Sequence, residues 1–155
     1  MRVHSVTVCA DRVDVLVDVG DAETLRTTAD ESIAERALTL LPGLERHTCD
    51  NEDSRSFAEE MADTEVPHLF EHVVMELMAQ AGSPRSLKGE TSWDFKRDGH
   101  GIFRVSLEYD DDLVCLGAIK AADKVMCYLT GNGPAPDPAR ETERLRSLRA
   151  VAATA

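Results

Sequence analysis

The sequence predicts an α+β fold, a two-layer sandwich in which a mainly antiparallel sheet carries helices on one face. Three observations predict it. Residues 3–9 and 12–19 both alternate apolar and polar side chains, the period of a half-buried strand, and only Ala10-Asp11 separates them, so they form a hairpin. Residues 87–95 and 101–109 form a second pair of strands around the turn Lys96-Arg97-Asp98-Gly99-His100-Gly101. Between and after these pairs lie helix-periodic segments with start and stop signals. Strand pairs alternating with helices leave one apolar sheet face, which the helices must cover.

The remaining elements follow in order. Asp30 caps a helix over 31–41, which Pro42-Gly43 ends. His47-Thr48-Cys49 reads as a short strand, 50–55 as polar loop and 57–61 as a helical turn. A longer helix covers about 65–81. Thr64 is its N-cap, Pro67 suits its first turn, and Gly82 with Pro84 stops it. Asp111 or Asp112 caps a helix that runs to about 129. Residues 131–138, rich in Gly and Pro, are a linker, and 139–155 form a short helical tail bearing Arg140, Arg144, Arg146 and Arg149. Residues 1–130 are thus expected to be one domain, since 155 residues suffice for a single core.

Composition bounds the function. The net charge of −12 argues against nucleic acid and against an anionic membrane surface. It is compatible with a cationic substrate, but solubility alone is the reading that net charge favours. No apolar run reaches the length of a membrane span, and Met1-Arg2-Val3-His4 opens a strand rather than a signal region. The expected location is the cytoplasm. Cys9, Cys49, Cys115 and Cys127 show no C-x-x-C pairing, so they read first as small buried apolar residues, with a metal-ligand role for one of them as the alternative.

The chemistry-bearing motif is His68-Leu69-Phe70-Glu71-His72, an H-x-x-E-H pentad within the 65–81 helix. One turn, about 6 Å, separates the two imidazoles, so both can reach one ion. Glu71 beside them could act on a water. The competing reading is a solvated face with two surface histidines, but Met75 and Ala79 interrupt that face as a cleft wall would. A third ligand must come from elsewhere. Glu76 lies two turns from His68, too far to share its ion, and reads as a partner that orients His72. Glu108, near the end of an apolar strand, is the expected third ligand, against the reading of an edge carboxylate facing water. Asp110, Asp111 and Asp112 read as a helix N-terminal charge cluster. His100 falls in the turn and is expected to be exposed, while His4 and His47 read as structural or surface residues.

The run Val66-Pro67-His68-Leu69-Phe70-Glu71-His72-Val73-Val74-Met75-Glu76-Leu77, with Ala81-Gly82 after it, resembles the N-terminal domain of cyanophycin synthetase. The turn Leu41-Pro42-Gly43 and the segments 87–91 and 103–110 are similar to that domain too. The resemblance covers roughly residues 35–130, without the two ATP-dependent ligase modules of a synthetase. It implies either a module that holds an aspartate–arginine polymer or a zinc peptidase that clips it. The pentad also resembles that of inverzincin peptidases, with His68 and His72 as ligands, Glu71 as base and Glu108 as third ligand. The sequence thus leads to a zinc-dependent hydrolase of a peptide or isopeptide bond, acting on arginine-rich or cyanophycin-like chains. The alternatives are a non-catalytic binding module for a cationic polymer or partner protein and a metal-binding domain without turnover. A homo-oligomer is compatible with either.

Overall fold

The computed structural model describes residues 1–20, 26–49 and 56–152, the last three of these by backbone alone. Among these residues, four strands form one antiparallel sheet. They are β1 (Arg2–Val8), β2 (Arg12–Asp18), β3 (Gly89–Ser92) and β4 (Ile102–Glu108), in the order β1-β2-β4-β3. The expected hairpin is β1–β2, with Val8 opposite Val13 and a register shift between Val3 and Ser5. β2 and β4 pair along their whole length, from Arg12 opposite Glu108 to Asp18 opposite Ile102.

Alternation sets the burial. Val13, Val15 and Val17 of β2 and Phe103, Val105 and Leu107 of β4 all point to one face and are buried. That face carries the helices. β1 is an edge strand and mostly exposed, including Val6 and Val8.

Six helices occur among the described residues: α1 (Ser32–Leu40), α2 (Phe57–Glu60), α3 (Val66–Gln80), α4 (Phe95–Asp98), α5 (Asp112–Leu129) and α6 (Pro138–Ala152), all but α4 in the expected order. The fold is α+β as the sequence predicts. Two local readings change. Residues expected as the end of one strand and the turn to the next form α4, where the Asp94 carboxylate accepts from the N–H groups of Lys96 and Arg97. The segment after α1 is a 3-10 turn, Pro42–Arg46, and only Thr48 makes a bridge, to Ser56. The loop reading of 50–55 lies outside the described residues. The tail is helical as expected, and it buries Leu145 against the rest of the fold.

α3 is the central element. It packs on α5, β3 and β4, and α6 lies across α5 and the end of α3. Leu69, Phe70, Val73, Val74, Leu77 and Met78 fill the core, as their spacing requires. Its opposite side is buried as well: Glu71, His72 and Glu76 are only 6%, 5% and 1% exposed. A solvated face is therefore excluded, and polar groups buried to this degree need partners. No helix among the described residues is long and apolar enough to cross a membrane.

Candidate metal centre

The first turn of α3 is set from outside the helix. The Thr64 N–H donates to Thr27 Oγ1, and the Thr27 N–H donates to the Thr64 carbonyl, at 3.0 and 2.9 Å. Arg26 reaches the carboxylates of Asp63 and Glu65. Glu65 takes the N-cap position without a side-chain cap, so the Thr64 hydroxyl, expected as the cap, is released to His68 Nδ1 at 2.8 Å.

That bond aims His68 Nε2 at His72 Nε2, 3.2 Å away. Cys49 Sγ closes the triangle, 3.3 Å from His72 Nε2 and 3.7 Å from His68 Nε2. Cys49 is delivered by the segment after the 3-10 turn, anchored where the Phe57 N–H donates to the His47 carbonyl. The Phe57 ring stacks on the His72 imidazole at 3.6 Å and meets the edge of His68, which fixes both ring planes. These three side chains form a group that could hold a metal ion.

A chain of hydrogen bonds supports His72 from behind. His72 Nδ1 lies 2.9 Å from His47 Nδ1, and His47 Nε2 lies 3.0 Å from Glu76 Oε2. Arg85 donates to the same oxygen at 2.9 Å, and Gln80 donates to Oε1 at 2.9 Å. Burial pushes the Glu76 carboxyl up, but the hydrogen bonds from His47, Arg85 and Gln80 and the Arg85 charge outweigh it and bring it down to about 2. An ionised Glu76 must accept from His47 Nε2–H. With His47 a neutral imidazole, its Nδ1 then accepts from His72 Nδ1–H, and His72 presents a bare Nε2 to the cleft. The Cys49 thiol can donate to that lone pair. Burial, and then the cationic forms of His68 and His47, hold His72 down to about 2, so it stays neutral at ordinary pH.

Gly43, in the 3-10 turn, shows why this turn needs glycine, because a Cβ there would collide with the Glu76 carboxylate. The sequence reads Glu76 as a partner of His72; in the structure the two are joined through His47, which sequence reasoning set aside.

Glu71 points from α3 toward β3, on the same cleft. It lies against β3, where Thr91 Oγ1 donates to its Oε2 at 2.6 Å and Gly89 leaves room for its side chain. Burial, opposed by the Thr91 bond and aided by Glu90, pushes Glu71 up to about 7. His68, Glu71, His72 and Cys49 all line one cleft of about 840 Å³.

Glu108 is not brought to this group. Its side chain is exposed and accepts from the Lys88 N–H at 2.9 Å, while its own N–H donates to the Lys88 carbonyl. Phe103, Val105 and Leu107 point inward, so strand alternation turns Glu108 outward.

The pKa of Glu71 gives a measurable stability signature in the metal-free protein. The folded state binds this proton near pH 7 and the unfolded chain near its ordinary 4.5. Stability is therefore lost as pH rises through that window, by on the order of 3 kcal/mol in full. His72 works in the opposite sense: held near 2 when folded, it costs stability as pH falls below 6.5. Comparison with Glu71→Gln isolates the first effect. The variant should gain stability relative to wild type between pH 5 and about 7.5 in urea titrations; parallel curves would show that Glu71 is not buried as a carboxylate.

The cyanophycin synthase-like N-terminal domain family model matches residues 14–130. The chain belongs to this family. It matches none of the curated proteins. The family segment contains Cys49, His68, Glu71, His72 and the whole sheet except β1 and the first residues of β2, but it ends before α6.

Proposed function

We propose that this member of the family is a zinc-dependent hydrolase of a peptide or isopeptide bond, with Cys49, His68 and His72 as ligands and Glu71 as general base. One observation carries the reading: three ligand atoms 3.2–3.7 Å apart converge in a cleft whose wall also holds a carboxyl near pKa 7.

The donor set fits zinc. Tetrahedral bonds of about 2.05 Å to nitrogen and 2.3 Å to sulfur would set N···N near 3.3 Å and N···S near 3.5 Å. Three protein ligands leave one position open, as at catalytic sites. Burial, the hydrogen bond to Glu60 and the charges of Glu60 and Glu71 push the Cys49 thiol up to about 12, so a metal cation must displace that proton on binding. Zinc, when bound, would supply Lewis acidity and acidify a water.

The chain's own groups would do the rest. Thr91 holds Glu71 Oε2, while Oε1 has no hydrogen-bond partner among the described residues. An ionised Glu71 would take the proton of the attacking water as its oxygen bonds to the carbonyl carbon. The protonated carboxyl would return it to the leaving nitrogen as the C–N bond breaks. A pKa near 7 suits both transfers.

Cationic chains are the favoured substrates. Glu59, Glu60, Asp63, Glu65 and Glu90 line the cleft with Glu71, against Arg26, Arg46, Arg85 and Lys88, which leaves a small acidic excess; Arg26 pairs with Asp63 and Glu65, and Arg85 with Glu76. Carboxylate walls concentrate cations, an advantage that salt removes. Arginine-rich peptides should be preferred over acidic ones at about 0.01 M salt, with the preference shrinking by about 0.3 M as the screening length falls. Equal handling at low salt would remove the cationic preference and leave the centre standing.

The direct test is elemental analysis after dialysis against micromolar zinc, followed by peptide turnover. One zinc per chain with turnover supports the hydrolase. One zinc without turnover leaves a metal-binding domain, and no zinc removes the centre.

A further inference from the structure

We propose that the C-terminal helix positions the metal centre: Thr142 on α6 and Gln80 at the end of α3 are positioning residues that fix which nitrogen of His72 carries its proton. The consequence for metal binding rests on the zinc reading above, whereas the tautomer itself does not.

α6 lies beyond the segment that the family model matches. Its Thr142 is 5% exposed and donates from Oγ1 to Gln80 Oε1 at 3.0 Å. This bond orients the Gln80 amide so that Nε2 donates to Glu76 Oε1. Arg146 also donates to the Gln80 carbonyl at 2.9 Å, and Arg149 reaches Ser83 and Asp110. The end of α3 is thus tied to α6 at three consecutive turns.

A buried carboxylate keeps one orientation when both oxygens are held. Gln80 holds Oε1, and His47 and Arg85 hold Oε2. Without Gln80, the desolvated Oε1 lacks a donor, and the carboxylate gains by turning. His47 Nε2–H then loses its acceptor, and nothing obliges that ring to keep its proton on Nε2. With the proton on Nδ1 instead, His47 becomes a donor to His72 Nδ1. His72 must then carry its proton on Nε2, the atom that faces Cys49 and His68. That tautomer cannot ligate through Nε2. The relay Thr142–Gln80–Glu76–His47–His72 therefore selects the competent form before any metal arrives.

The test uses the full chain with Thr142→Val, which keeps the side-chain shape, Thr142→Ser, which restores the hydroxyl, and Gln80→Met. Imidazole nitrogen shifts of the metal-free proteins, read by long-range ¹⁵N correlation, should show His72 protonated at Nδ1 in wild type and Thr142→Ser. Thr142→Val and Gln80→Met should show mixed tautomers. By zinc competition, Thr142→Val should weaken binding roughly 3- to 10-fold and Gln80→Met about 10-fold or more, the scale on which groups behind a ligand act. Wild-type tautomers in both Thr142→Val and Gln80→Met would overturn the proposal. A wild-type protein that binds no zinc while the tautomers still shift would overturn only the zinc reading.

Discussion

Glu71→Gln should retain one zinc per chain and lose about 10²–10⁴-fold in kcat/KM, the range for removing a general base. The side chain is held by Thr91 and is not one of the three groups whose ligand atoms converge, so its loss leaves the metal in place. Gln keeps the shape and can still accept from Thr91, but it cannot take a proton. Steady-state kinetics with metal analysis on the same sample decides the matter. Loss of zinc in the variant would make Glu71 a ligand; full activity would remove it as base.

The second large effect concerns Cys49. Structural zinc sites bind with about 10–16 kcal/mol spread over four ligands, or roughly 3–4 kcal/mol for each. Cys49→Ala should therefore weaken zinc by about 10²–10³-fold, and His68→Ala and His72→Ala by similar factors. Glu108→Ala should change it less than about twofold, because Glu108 pairs with the Lys88 backbone. Glu76→Ala should fall between, at about 10–100-fold, since it acts through His47. Competition with a chromophoric chelator measures all five. A strong Glu108 effect with a weak Cys49 effect would reverse the ligand assignment.

What the sequence revealed follows the reach of its periodicities. The β1–β2 hairpin, α3 and α5 repeat every two or every 3.6 residues, and local spacing placed them. The pentad could be read for the same reason, since His68, Glu71 and His72 share one helix. Cys49 and His47 arrive from a segment about 20 residues upstream, with no repeat to tie them to α3. Their role depends on the 3-10 turn at Pro42–Arg46 and on Phe57, which bring that segment across the helix. Gly43 carried a trace of this, because a glycine is needed where the turn meets Glu76. Glu108 was a different failure. The alternation of Phe103, Val105 and Leu107 already turned it outward, and the demand for a third ligand overrode that pattern. Thr64 kept its value as a hydrogen-bonding hydroxyl but spent it on His68 rather than on the helix end.

One sulfur and two imidazoles are proposed to hold the metal in the cleft that Glu71 lines. X-ray absorption on the zinc-loaded protein tests this arrangement most directly. One Zn–S distance of about 2.3 Å, two imidazole nitrogens at about 2.0–2.1 Å and one further light atom are expected. A shell of nitrogen and oxygen alone, without sulfur, would contradict it.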